Sequence, residues 1–467
     1  MDRSKSLAKN TFILSFGTIL PKLASFITLP ILTAGLTKTE YGTYDLINTL
    51  DSLFLPIVTL QVQSAAFRFL IDCRSNEEKT NRIITNIVGF IIPTSIIALV
   101  ILFLSLGNLP YGLRIMVCTY FFADTFNSAV QQIVRGLSKN KLYSLSAIIQ
   151  SFVNMILIII TVQWFKQGIE GTIFSIAIAT IISALILASG SKLHKKIQPS
   201  LLSKQTIREI LSYSWPMIPN SLSNWVLSMS DRLVLTCFIG LQANAIYAVA
   251  NKIPSLLIMV QGTFIFAWQE NASLVSKDED SEEYYSAMFD FMFNIMSGML
   301  ALLIAATPVL FELLIKGNYS EAYYQMPLLM FAMLFSTLAS YMGGIYVAHM
   351  KTKSVGVTTT ITALVNLIIS LSLVKLIGIY AVSLATLISY FLLMVYRMID
   401  AKKFQPIHYK VKKIIIYLVI LLIMCCLCWR RSLLHFLLNG LIAILVAFYA
   451  NHQLIINFIT KIRSFRK

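Results

Sequence analysis

The sequence predicts an all-α polytopic membrane protein of about fourteen spanning helices, arranged as two parallel six-helix lobes followed by two accessory helices. Three observations predict it. Of the 467 residues 57% are hydrophobic and 13% charged, whereas about a quarter of an ordinary soluble domain is charged. The apolar residues fall in runs of about 20, long enough to cross a bilayer, with short charged or turn-forming breaks between them. Three short motifs recur in the same order in the two halves of the chain.

The runs 11–36, 41–67, 83–106, 113–134, 142–165 and 169–188 make the first lobe, residues 1–189. Arg3, Lys5 and Lys9 ahead of the first run imitate a secretory leader. The run nevertheless continues past Pro21 and Lys22 without a small-residue cleavage site, so a retained span is expected. Residues 190–208 are a hydrophilic, basic linker. The second lobe, 209–400, opens with apolar helices over 209–238 and 243–268, joined by the turn 239–242. It continues, after the acidic break 276–283, with 284–310, 324–349, 354–374 and 377–398. The runs 414–429 and 433–450 are the accessory pair within 401–467, and a basic tail follows them.

The repeat is specific in its spacing. Lys139-x-Lys141 followed by Val153-Asn154 recurs as Lys351-x-Lys353 followed by Val365-Asn366. Gly35-Leu36 leading to Tyr44 and Asn48 recurs as Gly240-Leu241 leading to Tyr247 and Asn251, and residues 179–183 echo 385–389. Each copy holds six spans, so both insert the same way up, about an axis along the membrane normal. Substrate sites in such transporters lie where the copies face each other.

A net charge of +17 would suggest nucleic acid in a soluble chain. Here most of the 38 lysines and arginines sit in short loops on the side of the N-terminus, which predicts topology instead. The expectation is the cytoplasmic (inner) membrane with both termini cytoplasmic, contact with membrane lipids, and no nucleic-acid partner. The six cysteines follow no metal or disulfide spacing. No phosphate-binding glycine loop, zinc helix or nucleotide fold is present, so no enzyme and no cofactor is expected. Transport would then run on an ion gradient, a membrane potential or the substrate's own gradient.

The polar residues inside spans carry the functional expectation. A charge at the bilayer centre costs about 2.5–3.5 kcal/mol even on lenient scales, so it is functional by default. Lys22 shares a face of the first span with Thr18 and Ser25. Asn220, Asn224, Ser228 and Asp231 line one face of the seventh span, and Tyr247, Asn251 and Gln261 line a face of the eighth. Lys22, Arg232, Lys252, Asn224 and Asn251 are the candidate substrate contacts. Asp45, Asp51, Asp124 and Asp231 are the candidate acids for a coupling proton or sodium ion. The competing readings are packing ion pairs for Asp231 and Arg232, snorkelling for Lys252, and simple solvation for Asp45.

These residues also carry a resemblance. Residues 6–10 opening into a first span with Gly17 and Lys22, then Glu40-Tyr-Gly-x-Tyr44, resemble the start of the polysaccharide repeat-unit flippases. These are the O-antigen translocase-like branch of the multidrug/oligosaccharidyl-lipid/polysaccharide exporter superfamily. Tyr213-Ser-Trp-Pro216-x-x-Pro219, Ser230-Asp-Arg232 and Gly240 with Tyr247 and Asn251-Lys252 are similar to that family's seventh and eighth spans. Gln269-Glu270 after Trp268 departs from it, since relatives often show a proline there. The resemblance implies two six-helix lobes around a central cavity and alternating access. It also implies a cargo, a polyprenyl-pyrophosphate-linked oligosaccharide for O-antigen, capsule or exopolysaccharide synthesis, and a polysaccharide polymerase and glycosyltransferases as partners. A pyrophosphate is a multivalent anion, for which buried cations are the natural counter-charge. Two other readings stay open: a cation-coupled multidrug exporter of the same architecture, which the acids would suit, and an integral-membrane polysaccharide polymerase.

Overall fold

The computed structural model describes residues 2–107, 109–276 and 278–465, with side chains from Gly17 to His452 apart from Thr263, Phe266, Ala267 and Glu270. The basic side chains expected at 1–10 and 461–467 therefore lie outside the described residues. Among the described residues every regular element is helical. The chain divides into two compact units, Met1–Met229 and Ser230–Lys467.

The first unit contains α1 (Asp2–Gly35), α2 (Lys38–Val58), α3 (Val62–Cys73), α4 (Glu77–Ser105), α5 (Tyr111–Gly136), α6 (Asn140–Ile158), α7 (Gly168–Ser191), α8 (Leu193–Lys196), α9 (Lys204–Ser214) and the start of α10 (Met217–Phe238). Helix α2 starts on a capping box in which Thr37 and Glu40 satisfy each other's backbone amides. The Glu40 carboxylate also accepts from the Ile169 amide at 3.4 Å, tying the start of α2 to the start of α7. Gly168 makes that approach possible. Its φ is +56°, and a Cβ there would stand 2.3 Å from Glu40 Oε1.

The run 41–67 is two helices rather than the one expected. Leu60 and Gln61 have φ of 47° and 60°, and α2 meets α3 at 56°. Helical hydrogen bonding cannot pass through two left-handed residues. The linker is also more ordered than its composition suggests. Asn86, fully buried on α4, accepts from the Ser203 amide at 2.8 Å and donates to Leu201 O at 2.9 Å. Thr85 beside it accepts from the Gln198 amide at 3.0 Å. This backbone stitching seats α9 against α3 and α4. The expected helix 209–238 is divided as well: α9 ends at Ser214 and α10 begins at Met217, with the amide-less Pro216 between them.

The second unit completes α10 and adds α11 (Leu241–Ala250), α12 (Ser255–Val275), α13 (Ser281–Leu314), α14 (Ser320–Ala348), α15 (Thr352–Ile377), α16 (Ile379–Asp400), α17 (Val411–Trp429) and α18 (Leu433–Phe465). Within it α14 and α15 both pack on α16, as α5 and α6 both pack on α7 in the first unit. The sequence repeat is thus a repeat of helix packing. The run 243–268 is interrupted at 251–254, where α11 and α12 meet at 52°. Pro254 is the cause, because its missing amide and its ring exclude the preceding turn from the helix.

Arg397 is buried in the last turn of α16, 4% exposed. Its guanidinium donates to Ala339 O (3.0 Å), Val355 O (3.2 Å), Thr358 Oγ1 (2.9 Å) and Thr359 Oγ1 (3.0 Å), so it pins α14 and α15 to α16. The connection after α16 is fastened to α13 by an ion pair of Lys410 with Asp290 and by a 2.6 Å contact of His408 Nε2 with Glu282 Oε1.

Among the described residues ten helices are long and apolar enough to cross a membrane, and the bent pairs α2–α3 and α11–α12 pass as pairs. The other two expected spans coincide with α5 and α10, 26 and 22 residues long, which are not among the helices apolar enough to cross. Their internal charges, Asp124 in α5 and Asp231 and Arg232 in α10, lower their apolarity. The protein is an all-α, multi-pass membrane protein.

Candidate functional site

Buried acids with polar neighbours occur in both units. In the second unit Asp231 lies on α10 and is 3% exposed. The Tyr247 hydroxyl on α11 donates to Oδ2 at 2.6 Å, and the Thr386 hydroxyl on α16 donates to the same oxygen at 2.7 Å. On α15 the Ser370 hydroxyl stands 3.5 Å from Oδ1. Asn366, with its amide nitrogen turned to the acid, donates to Oδ1 at 3.2 Å while its oxygen accepts from the Thr386 amide at 3.3 Å. One carboxylate therefore gathers neutral oxygen and amide groups from α11, α15 and α16. These donors satisfy the buried carboxylate.

In the first unit Asp51 on α2, 6% exposed, lies close to Asp124 on α5 and to Tyr120. The Tyr120 hydroxyl reaches Asn48 Oδ1 at 3.1 Å. The sequence set Asp51 and Asp124 on separate helix faces, and the packing of α2 on α5 makes them neighbours. Asp45 stands outside the pair, half-buried on α2, with Thr49 donating to its backbone carbonyl at 2.8 Å.

The candidate cations have different settings. Lys22 is exposed on α1 between Thr18 and Ser25, and the Ser25 hydroxyl donates to its carbonyl at 2.6 Å. Arg232 is half-buried next to Asp231. Asn251 and Lys252 lie in the break between α11 and α12. Asn251 donates to Tyr247 O at 2.9 Å, which links that break to the residue that holds Asp231. Asn224 is exposed on α10 and donates to Asn220 O at 2.9 Å, within its own helix.

Tyr120, Ser370 and Thr386 escaped the sequence reading as site residues. A signal for two neighbours of Asp231 was present, because the repeat motifs ending at Asn366 and spanning 385–389 contain Asn366 and Thr386. Counting back from the repeated glycine, Phe26 stands in the first copy where Asp231 stands in the second. Hence the two acidic clusters use different helices.

The family described as polysaccharide biosynthesis protein matches residues 7–269, more than half of the chain. The chain belongs to the polysaccharide biosynthesis protein family. This family member is 23% identical over 325 residues to an uncharacterized membrane protein of Methanocaldococcus jannaschii, covering 66% of the chain and 62% of that relative's length. Its fold is similar to that of the lipid II flippase MurJ in an inward closed conformation, with TM-score 0.71, 17% identity and coverage of 96% and 100% of the two chains. A multidrug resistance MATE transporter of the MOP superfamily in an inward-facing conformation gives TM-score 0.64 at 12% identity, covering 82% and 98%. A MOP superfamily transporter from Pyrococcus furiosus, described as having a binding pocket of reverse polarity, gives 0.59 at 14%, covering 86% and 96%. The fold is thus shared with MurJ and with these MOP superfamily transporters.

Proposed function

We propose that this family member carries polyprenyl-pyrophosphate-linked oligosaccharide repeat units across the cytoplasmic membrane by alternating access, for surface polysaccharide synthesis, with both termini cytoplasmic. Membership of the polysaccharide biosynthesis family carries the reading, and the charged groups at membrane depth give it a mechanism. Lys22, Arg232 and Lys252, with Asn224 and Asn251, bind the pyrophosphate and its first sugars: arginine supplies a planar fork and lysine a point charge. The apolar tail stays in lipid. Asp231 in one unit and the Asp51–Asp124 pair in the other take up the coupling proton or sodium ion, and Asp45 joins them as a more accessible acid. Binding of that ion shifts the balance between inward- and outward-open states, which is the only work a coupling ion can do. Membrane lipids, a polymerase and the glycosyltransferases that build the repeat unit complete the set of partners.

The test is polymer export in cells carrying Lys22→Ala, Arg232→Ala or Lys252→Ala, each shown by blotting to be present at normal membrane levels. Export is expected to fall severely for Arg232→Ala and partly for Arg232→Lys. Normal export in all three alanine variants would overturn the cationic site. The second reading, a cation-coupled multidrug exporter, is favoured by the buried acids and the MATE-like fold. It predicts drug sensitivity on deletion and no accumulation of lipid-linked oligosaccharide.

A further inference from the structure

The turn between α17 and α18 closes over a cavity of about 460 Å³ that the transport reading does not use. Its wall includes Phe311 and Glu312 from the end of α13, Tyr323 from the start of α14, and Arg431, Phe436 and Asn439 from the accessory pair. The volume is that of an ordinary small-ligand site, roughly 300–1,000 Å³.

The cavity is polar at one end only. The Arg431 guanidinium carbon sits 4.0 Å from the ring centre of Tyr323 and 5.4 Å from those of Phe311 and Tyr324. Tyr323 is fixed in turn, 1% exposed, with its hydroxyl donating to Cys428 O at 2.8 Å. Arg431 keeps this position at a backbone φ of 48°, a region that costs a non-glycine residue about 1 kcal/mol or more. Among the described residues it has ring contacts and no ion pair. Asn439 is 2% exposed, its amide nitrogen donates to Met424 O at 3.0 Å, and its Oδ1 has no partner among the described residues. Glu312 adds a carboxylate. The cavity thus offers one fixed cation and, apart from it, two acceptors seeking a donor.

The surroundings are apolar and outward-facing. Leu433, Leu434 and Leu437 on α18 are 59–74% exposed, and Val309 and Leu313 on α13 are 53% and 61% exposed. All lie near helix ends.

We propose that this cavity holds the headgroup of a phospholipid that carries a primary ammonium, phosphatidylethanolamine in its simplest form. The phosphodiester takes the Arg431 fork. The ammonium donates to Glu312 and Asn439, and the acyl chains lie along Leu433, Leu437 and Val309. A quaternary choline has no N–H to give Asn439, and a purely anionic headgroup meets the Glu312 charge. The bound lipid then cements the accessory helices to α13 and α14.

The full chain, purified in detergent, is heated with phosphatidylethanolamine, phosphatidylcholine or phosphatidylglycerol added at equal mole fraction. Phosphatidylethanolamine is expected to raise the Tm most. Arg431→Gln and Glu312→Gln are each expected to weaken that lipid about tenfold, the loss of one charge-assisted hydrogen bond. Equal stabilisation by phosphatidylcholine, greater stabilisation by phosphatidylglycerol, or an undiminished response in Arg431→Gln would each overturn the proposal. Should Arg431→Gln not fold, native mass spectrometry of the unaltered protein decides. Retained phosphatidylethanolamine that the choline lipid cannot displace supports the site, and its absence or ready exchange refutes it.

Discussion

Replacing Asp231 separates a coupling acid from a packing acid. The carboxylate accepts short hydrogen bonds from Tyr247 (2.6 Å) and Thr386 (2.7 Å). Bonds to a charged group contribute about 1.5–3 kcal/mol each and neutral ones about 0.5–1.5, so Asp231→Asn gives up about 1–1.5 kcal/mol per bond, or 2–3 kcal/mol for the two. Removing a buried charge returns a desolvation term of similar size, so the net change is small. Asp231→Ala is different. It leaves the two hydroxyls and the Asn366 amide unpaired at about 1–3 kcal/mol each and opens a void besides, a loss of roughly 3–9 kcal/mol that rivals the whole stability of a domain. We therefore expect Asp231→Asn at normal abundance and Tm but without gradient-driven transport, and Asp231→Ala to be scarce in the membrane. The assay pairs blotting and thermal unfolding with export measured in cells. Normal export by Asp231→Asn at normal abundance would refute the coupling role, and collapse of Asp231→Asn would make the residue structural.

The Asp51–Asp124 pair predicts a pH effect. The proposed coupling role predicts that with either acid changed to Asn transport in vesicles loses its dependence on a pH gradient while the protein stays folded; an unchanged pH profile would assign the pair to packing. Arg397 predicts a purely structural loss. Its guanidinium satisfies acceptors on α14 and α15, so Arg397→Leu should cost more than about 3 kcal/mol and deplete the protein. Arg397→Lys should fail to restore it, since one ammonium cannot reach the same spread of acceptors; full abundance in either variant would contradict this.

The fold was legible because a membrane span needs a long apolar run, and such runs survive without knowledge of what packs against them. The repeat was legible because its motifs fall at helix ends and at contact positions such as Asn366 and Thr386. The breaks were harder. The one at 251–254 has Pro254 to announce it, whereas the one at 59–61 rests on left-handed Leu60 and Gln61, residues that do not favour that conformation by type. The linker looked like solvated loop, because stitching by Thr85 and Asn86 is a tertiary fact written in α4 and not in the linker. The acids followed the same rule. Each was visible singly as a charge at depth, but the contact of Asp51 with Asp124 and the ring of donors about Asp231 depend on which helices pack together, and local sequence does not say.

Carriage of a lipid-linked oligosaccharide, as proposed, is tested most directly by reconstitution. The purified protein is placed in proteoliposomes loaded with a labelled polyprenyl-pyrophosphate oligosaccharide, and a glycosidase on one side reads how much label has crossed. The account predicts transfer that depends on an imposed ion gradient and is abolished by Arg232→Ala. Transfer of a cationic drug under the same gradient, with the lipid-linked oligosaccharide left where it began, would contradict it.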